Sequence, residues 1–313
     1  MGCNRLPPYR PGSKVALLFQ LLMMPAILGA LPGLPWHLAG LTGGICMAQS
    51  IEPDYGVLDR PEVLRVLFHP RPEMGAGDAD RPGEAIQIPV APGVEVGARF
   101  HPAGKASPTI LFFHGNGEIV ADYDELGPLY TRMGINFLPV DYRGYGRSTG
   151  SPTVAAMMAD AGGVFEYTTR WLKTLGYSGP IIVMGRSLGS ASALKLAADQ
   201  AGAIAGLIVE SGFASITPLL ELLGVRIQSL GFDPAWDAFN ISNIKTYPGP
   251  TLVIHAQFDH IIPFSDGQAL YDASPAREKK LLMIPGANHN DIFQRGLNAY
   301  LEAVVWLAGT AGQ

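Results

Sequence analysis

Cysteine is nearly absent from this chain of 313 residues, whose two cysteines, Cys3 and Cys46, both lie in the first fifty positions. The rest of the chain therefore contains neither a disulfide nor a thiolate metal site. Its stability must come from packing, and a hydrophobic content of 48% is ample for a sizeable core. The scarcity of cysteine indicates no particular compartment, because large domains with good cores do not require disulfides.

An excess of basic charge is also missing. The formal net charge of −5 provides no basic field that would attract phosphates, so nucleic acid is not an expected partner. The seven histidines show no H-x-x-x-H or H-E-x-x-H spacing, no G-x-G-x-x-G opens a first strand–helix turn, and no Walker A lysine occurs. We therefore expect neither an organic cofactor nor a metal.

One long stretch lacks charge altogether: residues 15–48 contain no Lys, Arg, Asp or Glu. Such a stretch is long enough to cross the roughly 30 Å hydrocarbon core of a bilayer. Its prolines complicate a single straight helix. Three interpretations compete: a membrane anchor, a long signal peptide cleaved after Ala48, and a start site assigned too early, with translation beginning at Met47.

The charges that flank this segment rank the anchor first. Arg5, Arg10 and Lys14 precede it without any acid, whereas Glu52 and two nearby aspartates follow it. Because the positively charged flank of a membrane segment stays in the cytoplasm, the rest of the chain would lie on the outer side. Translation from Met47 would instead leave the protein in the cytoplasm.

The remaining chain divides at residue 85. Residues 51–84 are rich in Pro, Gly and charge, which predicts an extended linker or surface strap rather than a helix. The runs AIQIPV and VEVGARF then flank a Pro-Gly turn, as in an antiparallel hairpin at a sheet edge. The predicted organisation is a hydrophobic segment over 1–50, the strap over 51–84 and a globular domain over 85–313.

Short apolar runs alternate with helical patterns throughout that domain. The runs TILFFH, GINFLPVD, PIIVMG, AIAGLIVE, TLVIHA and KKLLMIP are uniformly apolar, which is typical of parallel strands buried on both faces. Between them the pattern predicts helices near 119–133, 154–175, 188–200, 264–273 and 290–308. This order predicts an α/β fold with a mostly parallel, doubly wound sheet and an antiparallel N-terminal edge hairpin.

Residues 214–248 interrupt the alternation with one or two short amphipathic helices. The insert follows the strand that ends near Glu210, and the carboxyl ends of parallel strands form the crevice in which ligands bind. Two interpretations stay open. The insert is either a small helical cap over the site or a helix that only covers the core.

The pentapeptide Gly185-Arg186-Ser187-Leu188-Gly189 fits G-x-S-x-G and joins an apolar run to a small-residue helix. A serine on such a sharp turn is strained, so the residues two before and two after it must be nearly free of side chain. The turn lifts the hydroxyl above the sheet edge, and the following helix N-terminus aims N–H groups at developing negative charge. The pentapeptide alone is a weak signal, because an ordinary tight turn also fits it.

An acid and a histidine follow Ser187 at the same sheet edge. Asp259 comes directly after the strand TLVIHA, and His289 lies in the loop GANHND before the last helix. A serine hydroxyl becomes a nucleophile when an imidazole takes its proton, and an acid fixes the tautomer of that imidazole. The chain order serine, acid, histidine is the one associated with α/β-hydrolases. Glu210, in VESGF, is the second choice for the acid.

Upstream, TILFFHGNGE ends a strand with glycines that let the backbone approach a ligand closely. This loop predicts an oxyanion hole formed by the backbone N–H groups of Asn116 and Leu188. The side chains of His114 and Asn116 are expected to hold the loop.

Five motifs, HGNG, DYRGYGRSTG, GRSLG, HAQFD and GANHND, together cover residues 109–295 in this order. With them the chain resembles the α/β-hydrolase superfamily, and within it the small-cap branch of proline-iminopeptidase-like hydrolases and membrane-anchored acyl-protein hydrolases. The resemblance implies Ser187, Asp259 and His289 as a catalytic triad. The hydrophobic segment before the domain is the main departure from the pattern.

The function predicted from these residues is that of a serine hydrolase, which cleaves an ester, thioester or amide through an acyl-enzyme intermediate. A carboxylesterase or acyl hydrolase that acts on a small or acylated substrate is favoured, with possible membrane association through residues 15–48. The alternatives are an aminopeptidase-like amide hydrolase and a non-catalytic, membrane-tethered binding module on the same scaffold.

Several other polar residues receive structural interpretations. His255 is expected to be a satisfied core residue, and His260 to point away from the site. Asp291 and Glu118 are assigned to solvated surface, with a place in the lining of the crevice as the alternative. Asp141 and Arg143 of the DYRGYGRSTG motif are expected to hold a loop through hydrogen bonds.

Overall fold

The computed structural model describes residues 53–74 and 81–312. The hydrophobic segment 15–48, with its three competing interpretations, lies outside these residues. Within the two described ranges, no helix is both long enough and apolar enough to span a bilayer.

The described residues form one sheet of eight strands in the order β1-β2-β4-β3-β5-β6-β7-β8. Strands β3 to β8 pair in parallel, whereas β2 runs antiparallel to both β1 and β4. The predicted α/β fold, with its mostly parallel doubly wound sheet and edge hairpin, is confirmed. The strands are β1 Glu84–Ala91, β2 Val94–Phe100, β3 Thr109–Phe113, β4 Asn136–Val140, β5 Ile181–Arg186, β6 Gly206–Glu210, β7 Thr251–Ala256 and β8 Lys279–Ile284.

Helices cover both faces of this sheet. In chain order they are α1 Pro61–Leu67, α2 Gly127–Arg132, α3 Val154–Thr174, α4 Gly189–Asp199, α5 Ile216–Leu222, α6 Phe239–Ile244, α7 Phe264–Ala273 and α8 Ile292–Ala311. Short 3-10 helices add Tyr55–Leu58, Val120–Tyr123, Ile227–Leu230 and Pro234–Trp236. The insert predicted over 214–248 thus consists of α5, α6 and two 3-10 helices.

The central strands are buried on both sides, as their uniform apolar composition predicts. In β3, Leu111 and Phe113 belong to a core shared with α3 and α4, while Ile110 and Phe112 belong to a second core shared with α2 and α8. Successive side chains of a strand point to opposite faces, so one five-residue run supplies both cores. The rigid sheet between them carries the loops described below.

The structure corrects the extended strap predicted for residues 51–84. Residues Pro61–Leu67 form helix α1, which begins with proline in its first turn, where no N–H is needed. Val63 and Leu67 lie four positions apart and are buried in the first core. Proline and charge around the segment obscured this short apolar face. The strap therefore packs on the domain as part of its hydrophobic core.

A second correction concerns the helix predicted near 119–133. The structure has a 3-10 helix at Val120–Tyr123 and a separate helix α2 at Gly127–Arg132. Pro128 lies in the first turn of the second helix, and in a continuous helix it would remove the N–H that bonds to residue 124 and clash with the carbonyl of that residue. The break turns Asp122 towards the loop that follows β3, where its carboxylate accepts the Ile119 N–H at 2.9 Å.

His101 makes the stability of this fold depend on pH. Its ring is buried, and this burial, together with the charge of Arg99, lowers its pKa from 6.5 to about 4. At pH 5 His101 is protonated in the unfolded chain but neutral in the folded chain. The free energy of unfolding therefore falls as pH drops from 6.5 towards 4. We expect His101 to contribute a loss of about 2 kcal/mol between pH 7 and pH 5.

Urea unfolding of the wild type and of His101→Gln at both pH values measures this contribution. The variant should lose about 2 kcal/mol less than the wild type on acidification, whatever its stability at pH 7. Comparing the two proteins removes the contributions of the other histidines. Equal losses in both proteins would show that His101 takes up its proton in the folded state.

Candidate active site

From β3 the chain runs to β4 on one side of the sheet, whereas from β5 it runs to β6 on the other, so the direction of the connections reverses between β3 and β5. Ligand crevices of open α/β sheets lie at such points, outside the carboxyl ends of the strands. Ser187 follows β5 there, and the loop 114–118, named here the oxyanion loop for its predicted role, follows β3. Asp259 follows β7 and His289 follows β8, at the same edge.

Ser187 has a φ of 50°, in the left-handed region that residues with side chains rarely adopt. The predicted need for small flanking residues is visible in the packing. A Cβ on Gly185 would lie 2.3 Å from the Gly189 carbonyl oxygen, and one on Gly189 would lie 2.2 Å from the Phe113 carbonyl oxygen. Both approaches are too close for any other residue, so the two glycines make this strained turn possible.

The side chains of Ser187, His289 and Asp259 form a continuous row. The Ser187 Oγ lies 3.0 Å from the His289 Nε2, and the His289 Nδ1 lies 2.7 Å from the Asp259 Oδ2. These are hydrogen-bond distances, although the residues are up to 102 positions apart in the sequence. The structure thus brings the three predicted residues together from three separate strand ends.

Asp259 is oriented by its own loop. Its Oδ1 accepts the backbone N–H groups of Ile261 and Ile262 at 3.0 and 2.9 Å, which leaves Oδ2 for His289. Burial opposes ionisation of this carboxyl, but the hydrogen bond and positive charge of His289 outweigh burial and hold the pKa of Asp259 below its usual range. The carboxylate is therefore charged where it meets the imidazole.

The oxyanion loop is held from the inside by Glu118. The Glu118 Oε2 accepts the Gly115 N–H at 2.7 Å and the Tyr123 hydroxyl at 2.5 Å. The Glu118 side chain is 12% exposed, so its assignment to solvated surface is wrong. A carboxylate next to glycines in a loop is normally solvated, and only the packing of β3 against the next strands reveals its role here.

The strap holds the same loop from the outside. The Asn116 Oδ1 accepts the His69 N–H at 2.9 Å and the Tyr145 hydroxyl at 3.0 Å, while the Arg71 Nε donates to the Gly117 carbonyl at 2.8 Å. The Asn116 side chain therefore holds the loop, as predicted. The contribution of His69 and Arg71 was missed, because no local pattern links them to residues almost fifty positions later.

Arg186, the second residue of the pentapeptide, is buried with 3% of its side chain exposed. It donates to the Glu118 Oε1 at 2.8 Å, the Glu210 Oε1 at 2.7 Å and the His289 carbonyl at 3.0 Å. Glu210, the second choice for the acid, also accepts the Tyr300 hydroxyl at 2.7 Å. Its carboxylate thus faces Arg186 and Tyr300, whereas the carboxylate that meets His289 is that of Asp259.

Other polar residues hold loops at the same end of the sheet. The His114 Nδ1 lies 2.8 Å from the Gly115 carbonyl oxygen, and the Asp141 Oδ1 accepts the Val120 N–H at 2.9 Å. Arg143 forms a two-point ion pair with Asp160, with distances of 2.6 and 2.7 Å. These contacts agree with the structural roles expected for the motif at 141–150.

The structure agrees with the interpretations of His255 and His260 and corrects that of Asp291. His255 is fully buried, with its Nε2 2.8 Å from the Ile262 carbonyl oxygen, and His260 is exposed. Asp291 was assigned to solvated surface, which is wrong, because its side chain is 14% exposed and accepts the Asn288 N–H at 2.6 Å. Asp291 also pairs with Arg295 at 2.6 Å and thereby fixes the loop that carries His289.

A cavity of about 520 Å³ opens above Ser187 and His289. Leu219 and Leu223, from the insert, line it, so the insert contributes to the site as well as to the core. The lining contains both apolar and charged side chains. Its larger apolar members are Leu67, Met74, Ile119, Leu188, Leu219, Leu223 and Ile261, and its charged members are Arg71, Arg81, Glu118, Asp122, Asp124 and Glu125.

Most of the charged side chains that line the cavity form ion pairs. Arg71 pairs with Asp122, and Arg81 lies 3.6 Å from Asp124, which also lies 3.4 Å from Arg99. Burial raises the pKa of Asp122 and of Asp124 in spite of the neighbouring arginines. Arg71, Arg81 and, from outside the lining, Arg99 therefore offset the negative charge of the two aspartates.

Comparison with known proteins shows similarity to hydrolases. The family model described as "Serine aminopeptidase, S33" matches residues 104–232. The chain is similar to the α/β-hydrolase domain-containing protein aho-3 of Caenorhabditis elegans, with 34% identity over 62% of this chain and 55% of that protein. It is also similar to the α/β-hydrolase domain-containing protein 17C of Xenopus tropicalis, with 35% identity over 59% of this chain and 56% of that protein. The chain thus matches little more than half the length of these relatives.

Among solved structures, the chain is similar to the esterase Pf2001 of Pyrococcus furiosus. The TM-score is 0.62 at 16% identity, over 77% of this chain and 98% of that one. At this identity the likeness concerns the fold alone.

Proposed function

Since the chain belongs to the α/β-hydrolase superfamily, we propose that it is a serine hydrolase acting through an acyl-enzyme intermediate. The observation that supports this most strongly is the row Ser187–His289–Asp259, with its distances of 3.0 and 2.7 Å, at the mouth of the cavity. The strained backbone of Ser187 adds to the argument, because strain of this kind is retained where function requires it.

In the proposed mechanism the Ser187 Oγ attacks the carbonyl carbon of the substrate while the His289 Nε2 takes its proton. Asp259 stabilises the imidazolium that results. His289 then gives the proton to the leaving group, which departs and leaves an acyl group on Ser187. Water, deprotonated by His289, attacks this acyl group, and the acid is released with the serine restored.

The developing oxyanion is assigned to the backbone N–H groups of Asn116 and Leu188. Leu188 directly precedes helix α4, whose N-terminal end favours negative charge. Within the oxyanion loop the Gly115 N–H already donates to Glu118, which makes the next amide, that of Asn116, the donor to consider. Donors held in place before the reaction are worth about 3 kcal/mol each in such sites.

The cavity favours an ester or thioester with an apolar acyl group. Leu219, Leu223 and Ile261 offer that group an apolar surface next to Ser187. An aminopeptidase, the activity named in the matching family model, needs acids that grip a substrate amine. Asp122 and Asp124 line the cavity, but both already pair with arginines, so the acyl hydrolase is the better supported of the two.

A panel of substrates tests this proposal on the full-length chain. We expect p-nitrophenyl esters and acyl thioesters to be hydrolysed with kcat/KM rising as the acyl chain lengthens, since each buried CH₂ contributes about 0.8 kcal/mol. Aminoacyl anilides should be cleaved much more slowly. A preference for anilides with a free amine would contradict the proposed substrate class and support the aminopeptidase.

A fluorophosphonate probe separates catalysis from mere binding. An activated serine reacts with the probe, so the wild-type chain should be labelled stoichiometrically, at Ser187. A non-catalytic, membrane-tethered binding module on the same scaffold, the other hypothesis, would remain unlabelled. Complete absence of labelling together with absence of turnover on every substrate would therefore favour that module.

A further inference from the structure

We infer that Arg186 is a positioning residue, which holds the oxyanion loop and the His289 loop in the arrangement that the reaction of Ser187 requires. This inference rests on the proposed function and goes beyond the triad and the oxyanion donors.

The parts of the site come from loops that follow different strands. The oxyanion loop follows β3, Ser187 follows β5 and His289 follows β8, so three separate connections must meet with an accuracy of a few tenths of an ångström. Backbone pairing fixes the strands but ends before the loops begin. Some further contact has to relate the loops to one another.

One guanidinium makes that contact. Arg186 is the residue before Ser187, its Nε donates to Glu118 at 2.8 Å, and its Nη2 donates to the His289 carbonyl at 3.0 Å. The first bond reaches the oxyanion loop, and the second reaches the residue that carries the imidazole. The nucleophile, the oxyanion loop and the base are thus related through a single rigid group.

Glu118 passes this restraint into the oxyanion loop. Its Oε1 faces Arg186, while its Oε2 accepts the N–H of Gly115 at the start of the loop. A Cβ on Gly115 would lie 2.9 Å from that same Oε2, so the loop is closely folded around the carboxylate. Moving the carboxylate would therefore move the backbone that carries the Asn116 N–H.

Glu210 fixes the guanidinium from the other side. It accepts from the Arg186 Nη1 at 2.7 Å, and the Ser187 N–H donates to the Glu210 carbonyl at 2.9 Å. Burial of the two carboxylates with Arg186 would be costly unless each donor and acceptor were matched. Only the planar fork of arginine can serve three acceptors in these directions, which the single ammonium of lysine cannot.

Arg186 does not line the cavity, so its effect must pass through the groups it holds. Three variants test this. Arg186→Met removes the guanidinium, Arg186→Lys keeps the charge without the fork, and Glu118→Gln keeps the shape of the loop residue without its charge. The matched control is Arg143→Lys, which alters a two-point ion pair with Asp160 outside the cavity.

We expect kcat to fall about 10²-fold in Arg186→Met and about 10-fold or more in Arg186→Lys, with KM within threefold of the wild type. The rate constant for fluorophosphonate labelling should fall in parallel, while the final labelled fraction stays near one. Arg143→Lys should leave both rates within threefold. A structural role would instead lower the labelled fraction and leave the turnover of each labelled site unchanged.

Folding of each variant is checked by circular dichroism before the kinetics. If Arg186→Met does not fold, Arg186→Lys decides, because lysine keeps a positively charged donor for the two buried carboxylates. Folded Arg186 variants with wild-type kcat and labelling rate would overturn the inference and leave the proposed function intact. A wild-type chain that is neither labelled nor active would instead reject the proposed function itself.

Discussion

Replacement of Ser187 by alanine should lower kcat by about 10⁴- to 10⁶-fold and abolish fluorophosphonate labelling, while substrate binding is largely kept. The hydroxyl is the atom that the His289 Nε2 faces at 3.0 Å, and alanine leaves the imidazole without a nucleophile to activate. Steady-state kinetics on a short p-nitrophenyl ester, together with probe labelling, measure both effects. The substitution removes no contact that the fold requires, so the variant should fold.

The chain contains a matched control for this substitution. Ser211 directly follows the neighbouring strand β6 and has a φ of 45°, so it shares the strained backbone of Ser187, although it is fully buried. It does not line the cavity. Ser211→Ala should retain kcat within a few-fold of the wild type. If Ser187→Ala retained a tenth of the wild-type activity, another group would have to be the nucleophile.

Asp259→Asn should lower kcat at neutral pH by about 10⁴-fold. The side chain is pinned, because Oδ1 accepts the N–H groups of Ile261 and Ile262 and must remain an oxygen. The amide nitrogen is thereby directed at the His289 Nδ1, 2.7 Å away in the wild type. A donor at that place forces the proton of the imidazole onto Nε2, which can then no longer accept the proton of Ser187.

A comparison with Glu210→Gln distinguishes the two candidate acids. Glu210 contacts Arg186 and Tyr300, so its substitution should lower kcat at least about 10²-fold less than Asp259→Asn does. The dependence of kcat/KM on pH adds a second readout, since the variant with the wrong tautomer should lose the wild-type profile. A larger loss in Glu210→Gln would transfer the orienting role to Glu210.

The depressed pKa of two buried carboxyls also has a consequence for stability. Burial opposes ionisation of Asp259 and Glu118, but His289 and Arg186 respectively hold each pKa below its usual value. The stabilisation by these groups is therefore present above the pKa of an unfolded carboxyl and is lost as pH falls through the lower, folded pKa. A fall in pH therefore destabilises both the site and the fold around it.

The order of the site along the chain was available from the sequence, because it follows from local rules. A glycine-flanked serine after an apolar run, then an acid and a histidine after later strands, predict one sheet edge and one chemistry. The uniform apolar strands likewise predict a parallel sheet buried on both faces, which the structure confirms. Each motif and apolar run used in these inferences is itself ten residues long or shorter.

The contacts that hold the loops of the site in place could be found only from the tertiary structure. A charged residue within the apolar run before Ser187 is the signal that could have revealed Arg186, but its partners lie 68, 24 and 103 positions away. The same holds for His69 and Arg71 of the strap, which reach the oxyanion loop over 47 and 46 positions. Sequence periodicity carries no information about contacts of this range.

The sequence by itself thus determined which groups are proposed to react, since a reactive side chain is fixed by its own type and by the turn that presents it. Only the folded chain decided what holds those groups in place. The contacts of Glu118, Arg186 and the strap exist because the packing of the sheet and its two cores brings distant segments within hydrogen-bond distance. Glu118 and Asp291, which the sequence assigned to solvated surface, are largely buried because this packing places partners next to them.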